Sequence, residues 1–150
     1  MKKTIIYIFI FIFFSSCGYA PVYSNKNLNF NLIEIVKFEN NKLNSIFERK
    51  LRKFSNKESE KLIFLKINSQ KEIKIITRDV RGDPSRYEMI VKLEINIIHN
   101  KNEKLKKIFQ KEFNYNTNSN KFTLNQYEKE IEELLIKKVI EELVRYLGKI

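Results

Sequence analysis

The sequence predicts an α+β fold: a two-layer sandwich in the order β-α-β-β-β-α, with two helices packed on one face of a four-stranded, largely antiparallel sheet. Three observations predict it. The run "RYEMIVKLEINII" alternates strictly, with Tyr87, Met89, Val91, Leu93, Ile95 and Ile97 on one parity and Arg86, Glu88, Lys92, Glu94 and Asn96 on the other. Period two sustained that long describes a strand in a sheet with one wet face. In the closing segment, Ile131, Leu135, Val139, Leu143 and Leu147 recur at every fourth residue, the spacing of an amphipathic helix. Between two short apolar runs, Leu43, Ile46, Phe47, Leu51 and Phe54 mark a second, shorter helix.

Taken in order, "FNLIEIVKFE" (30–39) is apolar but too short for a helix and reads as the first strand. The helix in "NNKLNSIFERKLRKFS" can be capped by Asn40 or Asn41, and Arg49 to Lys53 sit where the helix dipole favours cations. "KLIFLKIN" and "KEIKIIT" read as one long strand, bent or bulged near Ser69-Gln70. After the alternating third strand, "HNKNE" makes a polar turn, and Leu105, Phe109, Phe113 and Tyr115 share a parity in the returning strand of a hairpin. For the last helix, Thr123 and Gln126 fit a capping box with Phe122 and Tyr127 as its hydrophobic staple. Gly148 stands where a C′ glycine ends a helix.

The N-terminus carries a different message. Lys2 and Lys3 precede an apolar run, Ile5 to Phe14, which is half the roughly 20 residues a spanning helix needs. That is an export signal rather than a membrane span. Ser15 and Ser16 then lead directly into Cys17, the single cysteine of the chain. A hydrophobic residue, two small ones and a cysteine form the signal of a bacterial lipoprotein, although Phe14 stands where such signals usually have Leu. A lone thiol in an exported chain can form no internal disulfide, and lipidation removes its reactivity. The expected division is a signal peptide over 1–16 and one domain over 17–150, lipidated at Cys17 through a diacylglycerol and an amide-linked chain such as palmitate. Several acyl chains make such an anchor effectively permanent. Gly18, in place of an aspartate, favours the outer membrane of a two-membrane cell.

The chain carries a net charge of +11, or +9 once Lys2 and Lys3 are removed. The excess lies in 42–53 and 101–116, whereas 121–150 is balanced. Such basic stretches attract polyanions, and export argues against nucleic acid and for anionic lipid or a phosphorylated glycolipid. Little points to catalysis. His99, the one histidine, falls in the hairpin turn, where surface exposure accounts for it. With Cys17 consumed as the anchor, no Cys/His pair or zinc set can be assembled. Gly18, Gly82 and Gly148 are the only glycines, so no Gly-rich phosphate loop exists. The expectation is a protein that is not an enzyme and holds no cofactor or metal.

Three stretches carry a family resemblance: "CGYAPVY" at Cys17–Tyr23, "SRYEMIVKLEI" at Ser85–Ile95, and "NKFTLNQYEKEIEELLIKKVIEELVRYL" at the end. Together with the element order they resemble the lipopolysaccharide-assembly outer-membrane lipoprotein LptE, in its alphaproteobacterial branch. The resemblance implies a protein of the cell outer membrane, held there by its N-terminal lipid and facing the periplasm and a barrel lumen. It implies partnership with the LptD β-barrel, support of that barrel's assembly, and direct binding of lipopolysaccharide. Carried onto this chain, the family's basic contacts fall nearest to Arg81 and Arg86, beside Gly82-Asp83-Pro84, and to Lys121. A rival reading from another class is a lipid-anchored periplasmic adaptor or structural lipoprotein without a lipopolysaccharide role.

Overall fold

The computed structural model describes residues 28–99 and 103–150. The signal peptide, Cys17 and the "CGYAPVY" stretch lie outside the described residues, as does most of the "HNKNE" turn. Six elements follow one another: β1 (Asn31–Lys37), α1 (Lys42–Leu51), β2 (Leu62–Arg78), β3 (Pro84–His99), β4 (Glu103–Asn116) and α2 (Lys121–Leu147). They form one four-stranded sheet in the order β1-β2-β3-β4. β1 runs parallel to β2, as the intervening α1 crossover permits, and the other two pairings are antiparallel. The predicted α+β order is the observed one.

Alternation decides which face is covered. Met89, Val91, Leu93, Ile95 and Ile97 of β3 are all buried, together with Ile63, Leu65 and Ile67 of β2 and Phe109 and Tyr115 of β4. Phe47 and Leu51 of α1 and the Ile131–Leu147 stripe of α2 close over them in a single core. α1 lies over β1 and β2, α2 over β3 and β4, and the two helices touch. Burying each of these side chains contributes about 1.5–3 kcal/mol. The sheet's other face has no helix upon it among the described residues.

The strands outrun their cover. β2 is 17 residues long, about 56 Å at strand rise, whereas α1 has only ten residues, about 15 Å. α1 begins level with Ser69, so β2 is buried in alternation up to Ser69 and exposed on both faces from Gln70 to Arg78. Ile73, Ile75 and Ile76 therefore stay more than 40% exposed in spite of their strand register.

Four local expectations need correction. β2 keeps register with β3 straight through Ser69 and Gln70, and its irregularity falls between Ile75 and Arg78. Ser69 is no break because the Asn44 side chain satisfies it inside the core. His99 is not in the turn: its backbone ends β3, opposite Ile63 and Glu103. α2 starts three residues earlier than a Thr123 cap would have it. The Asn120 side chain accepts from the Phe122 and Thr123 backbone N–H groups, and asparagine is the better N-cap residue. Thr123 thus falls inside the first turn, and Phe122, 78% exposed, makes no staple. Gly148 is the C-cap itself, with a right-handed φ of −69°, and its N–H continues the helix to the Val144 carbonyl. No left-handed glycine is needed there.

Candidate functional site

The sequence-predicted residues Arg81, Arg86 and Lys121 come from three separate places in the chain. The turn joining β2 to β3 and the loop joining β4 to α2 both lie at one end of the sheet. They are tied together there by the Thr117 N–H, which donates to the Ser85 carbonyl at 3.0 Å. Arg81 is in the turn, Arg86 stands between Thr77 and Asn116 near the start of β3, and Lys121 opens α2. All three are exposed. The fold therefore gathers them at the same end, the tip of the sheet.

The turn is braced from within. The Asp79 carboxylate accepts from the backbone N–H groups of Arg81 and Asp83, both at 2.9 Å. The Asp79 N–H donates to the Asp83 carbonyl, and the Gly82 N–H to the Asp79 carbonyl. Gly82 has φ +87°, a left-handed conformation that glycine adopts without the Cβ penalty other residues meet. Arg78, which sequence reasoning passed over, donates from Nη1 to the Gly82 carbonyl at 2.8 Å. Its signal was the near-symmetric "RDVRGD", in which two arginines flank the aspartate that organises the turn.

The electrostatics of the tip are mixed. Arg81 Nε lies 3.5 Å from Asp79 and 4.0 Å from Asp83, while its side chain is 80% exposed. Such surface pairs are worth little, about 0–1 kcal/mol, so the guanidinium can exchange them for a stronger anion. Apolar side chains stand among the charges: Val80 is fully exposed at the apex of the turn, and Phe122 protrudes beside Lys121. Cations interleaved with exposed apolar groups can meet a phosphate and an acyl chain together. The basic excess that the sequence shows in mid-chain lies elsewhere. One part is the C-terminal end of α1. The other is β4, where Lys106 pairs with Glu94, Lys111 with Glu142, and Lys107 sits over the Tyr146 ring.

One buried titratable group lies just below the tip. The Tyr115 hydroxyl donates to Glu128 Oε1 at 2.7 Å, and its ring stacks on Tyr87 and meets the edge of Tyr127. Burial, and after it the Glu128 carboxylate, pushes the phenol far above its ordinary pKa. Tyr115 is therefore a neutral donor that fixes the start of α2 against β4. At the other helix, Glu48 joins Arg52 and Lys37, and those bonds, Arg52's first, hold its carboxyl below the ordinary value. Among the described residues, no three His, Cys, Asp or Glu side chains converge to hold a metal ion. No described helix is long and apolar enough to cross a membrane.

No protein-family model matches the sequence, and no curated relative matches it. Solved structures do match the fold. A minor lipoprotein from Acinetobacter baumannii superposes with TM-score 0.59 at 9% identity, over 81% of this chain and 92% of its own. An uncharacterized lipoprotein B from Nitrosomonas europaea gives TM-score 0.57 at 14% identity, over 81% and 84%. Rare lipoprotein B from Shewanella oneidensis gives 0.52 at 14% identity, over 79% and 92%. At such identities the likeness is one of fold.

Proposed function

We propose that this chain is an LptE-type lipoprotein of the outer membrane, anchored through Cys17 and working as the stoichiometric partner of an LptD β-barrel in lipopolysaccharide assembly. The observation that carries the reading is a coincidence of two independent features. A chain whose N-terminus bears a lipoprotein signal folds, over four-fifths of its length, like three proteins named as lipoproteins. Neither feature depends on the other.

The layout supports the same reading. The chain enters the domain at Leu28, beside the end of α2, where Asn29 donates to the Gly148 carbonyl and Lys61 to the Leu147 carbonyl. The tip is at the opposite end of β2, about 56 Å away at strand rise. The point where the described chain begins, at Leu28, and a phosphate held by Arg81, Arg86 and Lys121 are thus at opposite ends of the domain. In this reading the anchor stays in the leaflet while the tip reaches into the barrel lumen along the path of the glycolipid. Charge-assisted bonds from guanidinium groups suit lipid A phosphates, and Val80 and Phe122 suit its acyl chains. An interface with a wet lumen is large, polar and hydrogen-bonded.

Depletion tests this function. Loss of the protein is expected to lower the amount of correctly assembled LptD and to make cells leaky to hydrophobic compounds, and the two proteins are expected to co-purify in mild detergent. Normal LptD and an intact permeability barrier would refute the reading and leave a lipid-anchored adaptor.

A further inference from the structure

Among the described residues the sheet has three margins, and they are protected unequally. Along β1 the loop after α1 closes in: the Leu32 N–H donates to Ser55 Oγ, which itself donates to Asn31, and Asn56 Nδ2 donates to the Leu28 carbonyl. β4 is lined with lysines, a common guard against edge pairing. The third margin is the part of β2 that β1 does not reach. The last bond from β1's side is the Phe38 N–H to the Ile67 carbonyl, and the next group, the Ser69 N–H, goes to Asn44 Oδ1. Successive groups on that side alternate, so Lys71, Ile73 and Ile75 present their N–H and C=O outward. No described strand, turn or cap takes them up. Beside Lys71 lies an open groove, whose lining includes Asn41, Lys42, Leu43, Ile90, Lys92 and Glu132.

We propose that this margin, Lys71–Ile75, pairs antiparallel with the same stretch of a second copy of the chain, about a two-fold axis through Ile73. The charge pattern selects both occupant and register. Centred on Ile73, the pairing sets Glu72 opposite Lys74 of the other copy, twice by symmetry, and Ile73 opposite Ile73. Shifting the centre by one residue sets Glu72 against Glu72 or Lys74 against Lys74, and like charges directly opposite are destabilising. Within one chain Glu72 and Lys74 are already 3.6 Å apart and half exposed, so they are free to exchange partners. The apolar side chains of Ile73 and Ile75, uncovered on the helix face because α1 stops short, gain a neighbour in the same step. The irregularity between Ile75 and Arg78 ends the margin and confines pairing to these five residues, where an open-ended edge would build a fibre.

Reach disfavours the chain's own leading segment as the occupant once cleavage before Cys17 leaves residues 17–27. It enters at Leu28, beside the start of β2, and Ile73 lies eleven residues along the strand, about 36 Å. Residues 17–27 would spend their whole length, about 3.3–3.6 Å per residue, covering that distance. The proposal does not rest on the barrel partnership, and each stands if the other fails.

Sedimentation velocity of the full-length protein in mild detergent tests it. The wild type is expected to shift from monomer to dimer as concentration rises. Ile73→Pro removes one outward N–H at an edge position where proline is tolerated, so it is expected to abolish the dimer while circular dichroism stays unchanged. Glu72→Lys and Lys74→Glu each put like charges face to face and are expected to weaken self-association about tenfold or more. An equimolar mixture of those two variants restores opposite charges across the axis and is expected to recover dimers at wild-type strength. A wild type that stays monomeric throughout overturns the proposal. So does dimerisation that Ile73→Pro or the charge variants leave unchanged, which would place the contact elsewhere.

Discussion

Asn44 and Ser69 form the joint at which the sheet loses its first strand. Asn44 Oδ1 accepts from both the backbone N–H and the hydroxyl of Ser69, at 2.7 and 2.6 Å, while its amide donates to the Glu39 carbonyl at 2.8 Å. They are the two buried polar residues of the described core. A helix side chain thus replaces the strand partner that β2 has just lost, and it also holds the chain leaving β1. This substitution of side chain for strand fixes where the covered part of β2 ends.

Removing the joint is expected to cost more than removing one hydrogen bond. Asn44→Ala leaves the Ser69 N–H and hydroxyl and the Glu39 carbonyl without their partner, and each buried group left unmade costs about 1–3 kcal/mol. Chemical denaturation is expected to show a loss of about 2–4 kcal/mol for Asn44→Ala. Ser69→Ala keeps the backbone bond and is expected to lose about 1 kcal/mol. Equal losses in the two variants would mean that neither the Ser69 backbone bond nor the bond to the Glu39 carbonyl contributes.

Cys17 is expected to carry the lipid. Mass spectrometry of the mature protein should find an acylated cysteine at the N-terminus with nothing before it, and Cys17→Ser should leave the signal uncleaved or the protein unanchored. A mature chain beginning at Ser15 or Gly18 would contradict the assignment.

Replacing Arg81, Arg86 and Lys121 together with glutamate is expected to weaken lipopolysaccharide binding far more than the same change at Lys137, Lys138 and Lys149. Bonds to charged groups are worth roughly 1.5–3 kcal/mol each, less where exposed, so even a discounted triple change should exceed tenfold. Losses of the same size from both sets would show that net charge alone governs binding.

Tyr115 makes the fold sensitive to alkali. Its pKa is raised in the folded state, so its contribution is complete below the unfolded tyrosine value of about 10 and is lost as pH rises through the folded value. Ionisation of the unfolded chain draws the equilibrium away from the fold over that window. Denaturation midpoints measured on either side of pH ~10 should fall less steeply for Tyr115→Phe than for wild type. Identical slopes would show that other groups carry the alkaline loss.

Much of the architecture was written locally. Met89 to Ile97 announce a half-buried strand, and Ile131 to Leu147 a helix, because period two and period four each place a whole apolar set on one side of an element. Such signals need no knowledge of what they meet. Caps were less legible: Asn120 and Thr123 both satisfy the local pattern, and the choice rests on an extra turn of helix, closed by the Leu124 N–H on the Asn120 carbonyl. Ser69 read as an interruption because a polar residue in a strand normally faces water, and its partner Asn44 lies 25 residues away.

The sequence alone determined the elements, their order and the core stripes, since each depends on the spacing of residues close together in the chain. Only the tertiary structure decided that Arg78, Arg81, Arg86 and Lys121 share one end, that Lys107 and Lys111 are already occupied by α2, and that β2 from Lys71 to Ile75, paired with β3 on one side, has no described strand on the other. Those outcomes follow from register between strands and from the mismatch between a strand of 17 residues and a helix of ten. Such differences between distant segments become fixed only when the segments are laid side by side.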